Sequence, residues 1–340
     1  MHSLITRIEA TGPWAPWIFV GIFLAASLLT IWRLESMSAG GLDGTVIGTL
    51  VTPYMTGLGN LVFAFIYGLK HLPATDVMTN CLINNVTNMT LVLGLPAVFW
   101  SMNVLGTKKD SGKKNARAKK SAGVREINRL SLLLTLLAVL FFTGLTWLLG
   151  ADGKINFTDG LVLVGIFLFW QCFHVFDVLK NNARQNKSFN WMLAFDLALF
   201  GVGAYAIYVS TDWLVTWVSN IHTGFISADY IGLLSGWLNV LPNAVLAVYY
   251  AWTRRPEIVY TSQSGDNHIC IPLCIGVFAL FQTIAVPAFF SLGVILLLAA
   301  TVVHFIFIAA FGRLPRYAGL ALTAGYGWFI YRVLKHGLLK

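Results

Sequence analysis

Runs of about twenty apolar residues follow one another along the whole chain, the length a helix needs to cross the roughly 30 Å hydrocarbon core of a bilayer. They lie near residues 15–34, 44–70, 76–105, 130–150, 157–179, 190–210, 228–252, 258–283, 286–311 and 315–334. A segment in lipid must satisfy its own backbone hydrogen bonds, and these runs are about twice as long as barrel strands, so they are helices. Of the 340 residues 57% are hydrophobic and only 11% charged, against about a quarter charged in soluble domains. The chain reads as an all-α polytopic membrane protein with ten transmembrane helices, and a soluble enzyme is excluded. Phosphate loops, nucleophile elbows and zinc-protease motifs are absent from the sequence, and no cofactor is expected.

The N-terminal stretch lacks a basic region followed by a cleavage site, so no cleaved signal peptide is expected. The four cysteines, Cys81, Cys172, Cys270 and Cys274, fall in apolar runs and are expected as thiols buried in helices. Basic residues set the orientation. Nine of the 23 Lys and Arg lie between Thr107 and Arg129, which makes 107–129 a basic cytoplasmic loop. Ten alternating spans then place seventeen basic residues inside and six outside, with both termini outside the cytoplasm. The organisation that follows is 1–106 for the first three spans, the loop 107–129, two spans in 130–180, a cytoplasmic linker 181–189, and a second set of spans in 190–340. The basic loop reads as a topology determinant beside an anionic leaflet; a contact for a protein partner is the other reading, and no nucleic acid is expected.

The chain also repeats itself. Leu58, Asn60, Val62, Ala64 and Tyr67 fall on Leu241, Asn243, Val245, Ala247 and Tyr250 at an offset of 183, and Asn85, Leu91 and Gly94 fall on Asn267, Leu273 and Gly276 at 182. Each copy is a pair of spans. Five spans separate the copies, an odd number, so they cross the bilayer in opposite directions. Inverted repeats are a transporter architecture, with broken helices around a midplane site. Breakers stand in both copies: Pro53, Gly57 and Gly59 in one, Pro242, Gly265 and Pro272 in the other.

Polar residues gather in these repeats. Asn80, Asn84 and Asn88 are four apart and share a helix face, with Asn85 beside them; the matching stripe is Ser262, Asp266 and Cys270, with Asn267. Asn60 and Asn243 extend the set. Amides at membrane depth are costly unless they face a cavity or one another, so the alternatives are a hydrated, oxygen-lined site or interhelical hydrogen bonds. Asp266 is the sharpest residue, since an intramembrane carboxylate marks function by default. His268 stands near enough to titrate with it. Cys270 and Cys274, with Asp266 and His268, also suit a soft metal; buried thiols are preferred, because Cys81 has no thiol neighbour in the other repeat. His174 with Asp177 reads as an interfacial pair, and Asp196 and His304 are further membrane-depth candidates.

These segments resemble the two alpha repeats of the calcium/cation antiporter superfamily, sodium/calcium exchanger type, which read G-T-S-L-P-E, then G-N-x-x-G-S-N-x-x-N, then L-V-L-G. The first copy here reads Met55-Thr56-Gly57-Leu58-Gly59-Asn60, then Thr79 to Asn88 as TNCLINNVTN, ending Leu91-Val92-Leu93-Gly94. The second reads Leu238-Asn239-Val240-Leu241-Pro242-Asn243, then Thr261 to Cys270 as TSQSGDNHIC. The resemblance implies two inverted five-helix repeats and cation antiport. It also implies that the motif glutamates, the main cation ligands, are replaced by Asn60 and Asn243. Thr56 keeps the motif threonine, with Asn239 as its counterpart; Asn84 and Asp266 take the serine positions, and Asn88 and Cys270 a further ligand position.

A calcium site wants hard oxygen ligands and usually several carboxylates. Exchanging two carboxylates for amides leaves Asp266 as the one evident anion, too little to offset the desolvation of a divalent ion. A monovalent cation faces a quarter of that charge-squared cost. The expected function is therefore a divergent cation antiporter handling Na+, K+ or H+ rather than tight Ca2+ exchange, by alternating access around a midplane site. Its partners are the lipid bilayer and small cations. Two alternatives stand beside it: an exchanger-like scaffold that no longer transports and acts as a partner or sensor subunit, and a transporter of a transition metal or small solute.

Overall fold

The computed structural model describes residues 2–39, 54, 57–100, 102–104, 116–182 and 191–335. The helices are α1 (His2–Glu9), α2 (Ala15–Ala39), α3 (Leu58–Leu69), α4 (Ala74–Thr87), α5 (Leu93–Phe99), α6 (Ala116–Leu149), α7 (Phe157–Asn182), α8 (Trp191–Ser219), α9 (Ile231–Trp252), α10 (Pro256–His268), α11 (Ile275–Ala279), α12 (Phe290–Phe311) and α13 (Arg316–Lys335). Among the described residues four two-residue strands join them: β1 (Met102–Asn103), β2 (Lys154–Ile155), β3 (Ile284–Ala285) and β4 (Arg313–Leu314).

Among the described residues, six stretches are long and apolar enough to cross a membrane: Gly12–Arg33, Ala74–Phe99, Arg129–Asp152, Ala198–Ser219, Ala228–Trp252 and Phe290–Phe311. Leu58–Leu69 and Phe157–Cys172 are shorter apolar helices. The remaining runs of the predicted ten fall on α10–α11, which is interrupted and rich in polar residues, and on α13, which carries Arg316, Arg332 and Lys335. The basic stretch differs from its reading as a loop. It is helical from Ala116 onward as the start of α6, because Ala, Arg, Lys and Glu there are good helix formers. At its end the Arg129 guanidinium donates to the carbonyls of Ile308 and Ala309, tying α6 to the last turn of α12.

Two helices are broken at matching places. One π turn, Asn88–Val92, separates α4 from α5, and another, Ile269–Cys274, separates α10 from α11. Proline accounts for both: Pro96 has no N–H to give the carbonyl four residues back at Val92, and Pro272 sits inside the second turn. Adding 182 to 88–92 gives 270–274, so the breaks are repeat mates.

The same arithmetic organises the rest of the molecule. Met102 pairs with Leu314 and Asn103 with Arg313 across β1 and β4, while Ile284 pairs with Ile155 and Ala285 with Lys154 across β3 and β2. Adding 182 carries β1 onto β3, and subtracting 159 carries β4 onto β2, so each ribbon is the image of the other. The helices behind them follow suit. A Cβ on Gly94 would lie 2.9 Å from the carbonyl oxygen of Gly319, and one on Gly160 would lie 2.8 Å from that of Gly276; only paired glycines let α5 meet α13, and α7 meet α11, so closely.

Contacts also give directions. Along α4 and α10 and into the π turns that follow them, the pairs Asn84–Cys270 and Asn88–Asp266 run in opposite senses, so these repeat mates are antiparallel. On α4 and α9, Gly232 abuts Thr79 and Gly236 abuts Ile83, a parallel pairing. Both relations are what an inverted duplication requires. Outside this core, α2 and α8 lie antiparallel along each other, with Phe19 stacked on Trp213 at 4.2 Å between ring centroids and Arg33 bridging to Asp196 at 3.3 Å.

Candidate functional site

The site is assembled where the two antiparallel mates α4 and α10 cross. Four-residue spacing puts Asn80 and Asn84 on one stripe of α4, which Asn88 continues at the head of the π turn, and α10 presents Asp266 to it. Asn84 Nδ2 donates to Asp266 Oδ2 at 2.7 Å, Asn88 Nδ2 to the same oxygen at 2.6 Å, and Asn243 Nδ2, from α9, at 3.1 Å. Asn84 Nδ2 also reaches Cys270 Sγ at 3.2 Å, and Asn85 Nδ2 donates to the Asn267 carbonyl at 3.1 Å. The repeat relation exchanges Asn84 with Asp266 and Asn88 with Cys270, so the contacts Asn84–Cys270 and Asn88–Asp266 are images of each other.

Asn60 on α3 completes the ring from the first repeat. Its Oδ1 accepts from Asn239 Nδ2 at 2.9 Å, and Asn239 stands one turn before Asn243 on α9. Asn60, Asn84, Asn88, Asn243 and Asp266 are each 0% exposed. The ring is thus closed over, and a cavity of about 550 Å³ between α2, α8 and α9 reaches Asn239 from one side.

Three amide donors on one carboxylate oxygen stabilise a buried negative charge, since hydrogen bonds to ionised acceptors are about twice as strong as neutral ones. The other ends of these groups have no partner among the described residues: Asp266 Oδ1, Asn84 Oδ1, Asn88 Oδ1 and Asn243 Oδ1 are buried and unsatisfied, as is Asn60 Nδ2. Leaving such atoms unpaired costs about 1–3 kcal/mol each. Every amide carries an acceptor beside its donor, and half a turn about χ2 exchanges them. The same side chains can therefore present oxygens to a cation next to Asp266.

Several expectations change. His268 does not face Asp266 or Cys270; its Nε2 lies 3.2 Å from the Thr135 carbonyl and its ring meets Phe142 and Trp170 edge-on. Among the described residues no three His, Cys, Asp or Glu side chains are placed to hold a metal. Cys81, expected to have no thiol neighbour in the other repeat, lies beside Cys270 and Cys274. Cys172 is exposed on α7 rather than buried. Asp196 is committed to Arg33. His304 is a structural bridge: its Nε2 lies 2.8 Å from the carbonyl of Met89, in the first π turn, and its Nδ1 lies 3.3 Å from the Tyr260 hydroxyl. Thr56 and the side chains of His174 and Asp177 lie outside the described residues.

Sequence reasoning passed over Ser235 and Gln263. Ser235 Oγ accepts from Asn80 Nδ2 at 2.9 Å, and Asn267 Nδ2 donates to the Gln263 carbonyl at 2.7 Å. The signal for Ser235 was present: with Asn239 and Asn243 it makes a four-residue stripe on α9 like that of α4.

Residues 14–176 and 195–335 match the family described as sodium/calcium exchanger protein. No curated protein matches the chain in sequence. Among solved structures, the sodium-calcium exchanger NCX_Mj soaked with 10 mM Na+ and 10 mM Sr2+ is 19% identical, with a TM-score of 0.61 over 93% of this chain and 96% of that one. The same exchanger in 2.5 mM Na+ and 10 mM Sr2+ aligns over 97% and 99% of the two chains at 19% identity and TM-score 0.61. In 2.5 mM Na+ and 1 mM Sr2+ it is 18% identical, with a TM-score of 0.62 over 93% and 96%. The shared architecture includes the inverted repeat, and the family is one of membrane transporters rather than enzymes. On the family match across nearly its whole length, the chain belongs to the sodium/calcium exchanger protein family.

Proposed function

We propose that this protein is a cation antiporter that carries a monovalent cation, Na+ or K+, and/or H+ through the Asp266 pocket, and that tight Ca2+ exchange is lost. The observation that carries this reading is the single carboxylate of Asp266 held by amides from both repeats, with its own Oδ1 and the three surrounding amide oxygens unpartnered among the described residues. One carboxylate balances one monovalent charge. A divalent ion would leave a net positive charge in a low-dielectric centre, at four times the charge-squared desolvation cost of a monovalent one. Asn60 and Asn243, at the places where the family motif carries glutamate, add dipoles but no charge. Thr56 and Asn239 are assigned to the binding set with Asn84, Asn85, Asn88 and Asn267, and exchange proceeds by alternating access around this fixed site. Both termini are assigned to the outer face and the basic segment 107–129 to the cytoplasm.

The test is an ion-resolved flux assay in liposomes, with Na+, K+, H+ and Ca2+ gradients imposed one at a time. Counterflow of a monovalent cation, with Ca2+ neither transported nor competing at micromolar concentration, is the expected result; Ca2+-driven exchange would overturn it. The complete burial of Asn60 and Asn243 favours a second reading, a scaffold that has stopped transporting. A cysteine at position 60 or 243 in a background lacking the four native cysteines separates the two: a water-soluble thiol reagent labels it in a transporter and leaves it untouched in a closed scaffold.

A further inference from the structure

The cavity of about 550 Å³ between α2, α8 and α9 is separate from the Asp266 carboxylate and has a different chemistry. Its walls are apolar, including Trp17, Val20, Phe63, Val215 and Leu238, and none of the described residues lining it is charged. Its volume is that of a small-molecule site, and such sites combine apolar walls with a few placed polar groups. Three are present here: Thr211, Ser235 and Asn239.

Thr211 gives the clearest sign that something polar belongs in this space. Helical Ser and Thr in apolar surroundings normally bond back to the preceding turn. On the same helix Ser210 Oγ donates to the Ala206 carbonyl at 2.7 Å, and Thr216 Oγ1 to the Asp212 carbonyl at 2.8 Å. The Thr211 hydroxyl makes no such bond. It is buried without a partner among the described residues, in a residue 3% exposed that lines the cavity. A buried hydroxyl without a partner is costly, and a turn about χ1, to another staggered rotamer, would bring it to a ligand hydroxyl in the cavity.

We infer that this cavity binds a neutral single-chain amphiphile from the lipid phase, an alkanol-like molecule whose hydroxyl pairs with Thr211 and whose chain lies against Trp17, Phe63 and Leu238. A charged ligand is disfavoured because the described wall residues offer it no countercharge. Trp17, on the cavity wall, is 65% exposed, and tryptophan sits at the membrane interface where such molecules concentrate. The cavity ends at Asn239, whose amide holds Asn60, so an occupant inhibits exchange; this last consequence rests on the transport reading above.

The test is photolabelling of the full chain in lipid nanodiscs with an octanol carrying a diazirine, mapped by mass spectrometry and competed with n-octanol. Saturable labelling at Trp17, Phe63 or Leu238 is expected, stronger than at the outward-facing Phe169 and Phe281. Val215→Trp fills the cavity and should cut it at least about tenfold. Thr211→Val keeps the volume and removes the hydroxyl, and should weaken it roughly threefold to tenfold, the range of one hydrogen bond. Labelling that does not saturate, or a Thr211→Val variant that labels like the wild type, overturns the proposal even if Val215→Trp fails to fold. Octanol inhibition of flux is read separately: saturable labelling without inhibition removes the coupling to Asn239 and leaves the site standing, while absence of any flux counts against the transport reading alone.

Discussion

Replacing Asp266 by Asn removes a charge and almost no volume, so packing is preserved and the effect falls on the electrostatics of the pocket. A cation about 4 Å from a carboxylate gains about 4 kcal/mol at the effective dielectric of about 20 that suits protein sites. At about 1.4 kcal/mol per decade, Asp266→Asn should raise the half-saturating concentration of the transported cation by roughly a thousandfold. The pseudo-symmetry supplies the control. Asn84 is the repeat mate of Asp266, and its amide lies 2.7 Å from the carboxylate. The double substitution Asp266→Asn with Asn84→Asp therefore moves the charge across the two-fold relation without displacing it from the pocket, and should recover half-saturation to within about tenfold of wild type. Radioisotope uptake into liposomes, with thermal unfolding run on each variant to confirm folding, measures both. A half-saturating concentration unchanged in the single variant, or a double variant no better than the single, would refute the assignment of Asp266.

Three further outcomes follow from the packing. His304→Ala strips a partner from the Met89 carbonyl and the Tyr260 hydroxyl together, and at about 1–3 kcal/mol per orphaned group it should lower the thermal midpoint markedly; His304→Gln, which retains a donor, should lower it less. Gly59→Ala puts a Cβ 2.5 Å from Asn239 Oδ1, so it should cost about 1–3 kcal/mol of stability and slow flux by displacing Asn60, and wild-type flux would contradict this. Arg33→Ala leaves Asp196 buried without its ion partner, a loss of about 3–5 kcal/mol in calorimetry or chemical denaturation, whereas Arg33→Met with Asp196→Leu should restore most of it.

The repeat was legible because it is written in residues that membranes rarely tolerate. Asn85 and Asn267, or Gly94 and Gly276, stand out against Leu and Val, and their offset of 182 reappears in the π turns and strand ribbons. The stripe of amides on α4 likewise announced its partner on α10. Facing was less legible. In lipid the outside of a helix is as apolar as its inside, so nothing in the sequence said that Cys81 meets Cys270 and Cys274, that Cys172 faces outward, or that His268 turns toward Thr135. Long-range pairing of charges was hidden for a different reason: Arg33 and Asp196 are 163 residues apart, and only the packing of α2 on α8 brings them together. The start of α6 was missed because charge density, which signals a cytoplasmic segment, carries no information against helix when the residues are Lys, Arg, Ala and Glu.

The central claim is that a cation binds between the two repeats at Asp266. The most direct measurement is anomalous scattering from crystals grown with Rb+ or Tl+ as stand-ins for the transported ion. A peak within coordinating distance of Asp266 Oδ1 and the Asn84, Asn88 or Asn243 side-chain oxygens, absent in Asp266→Asn crystals, is the predicted result. A peak elsewhere in the core that persists in that variant would contradict it.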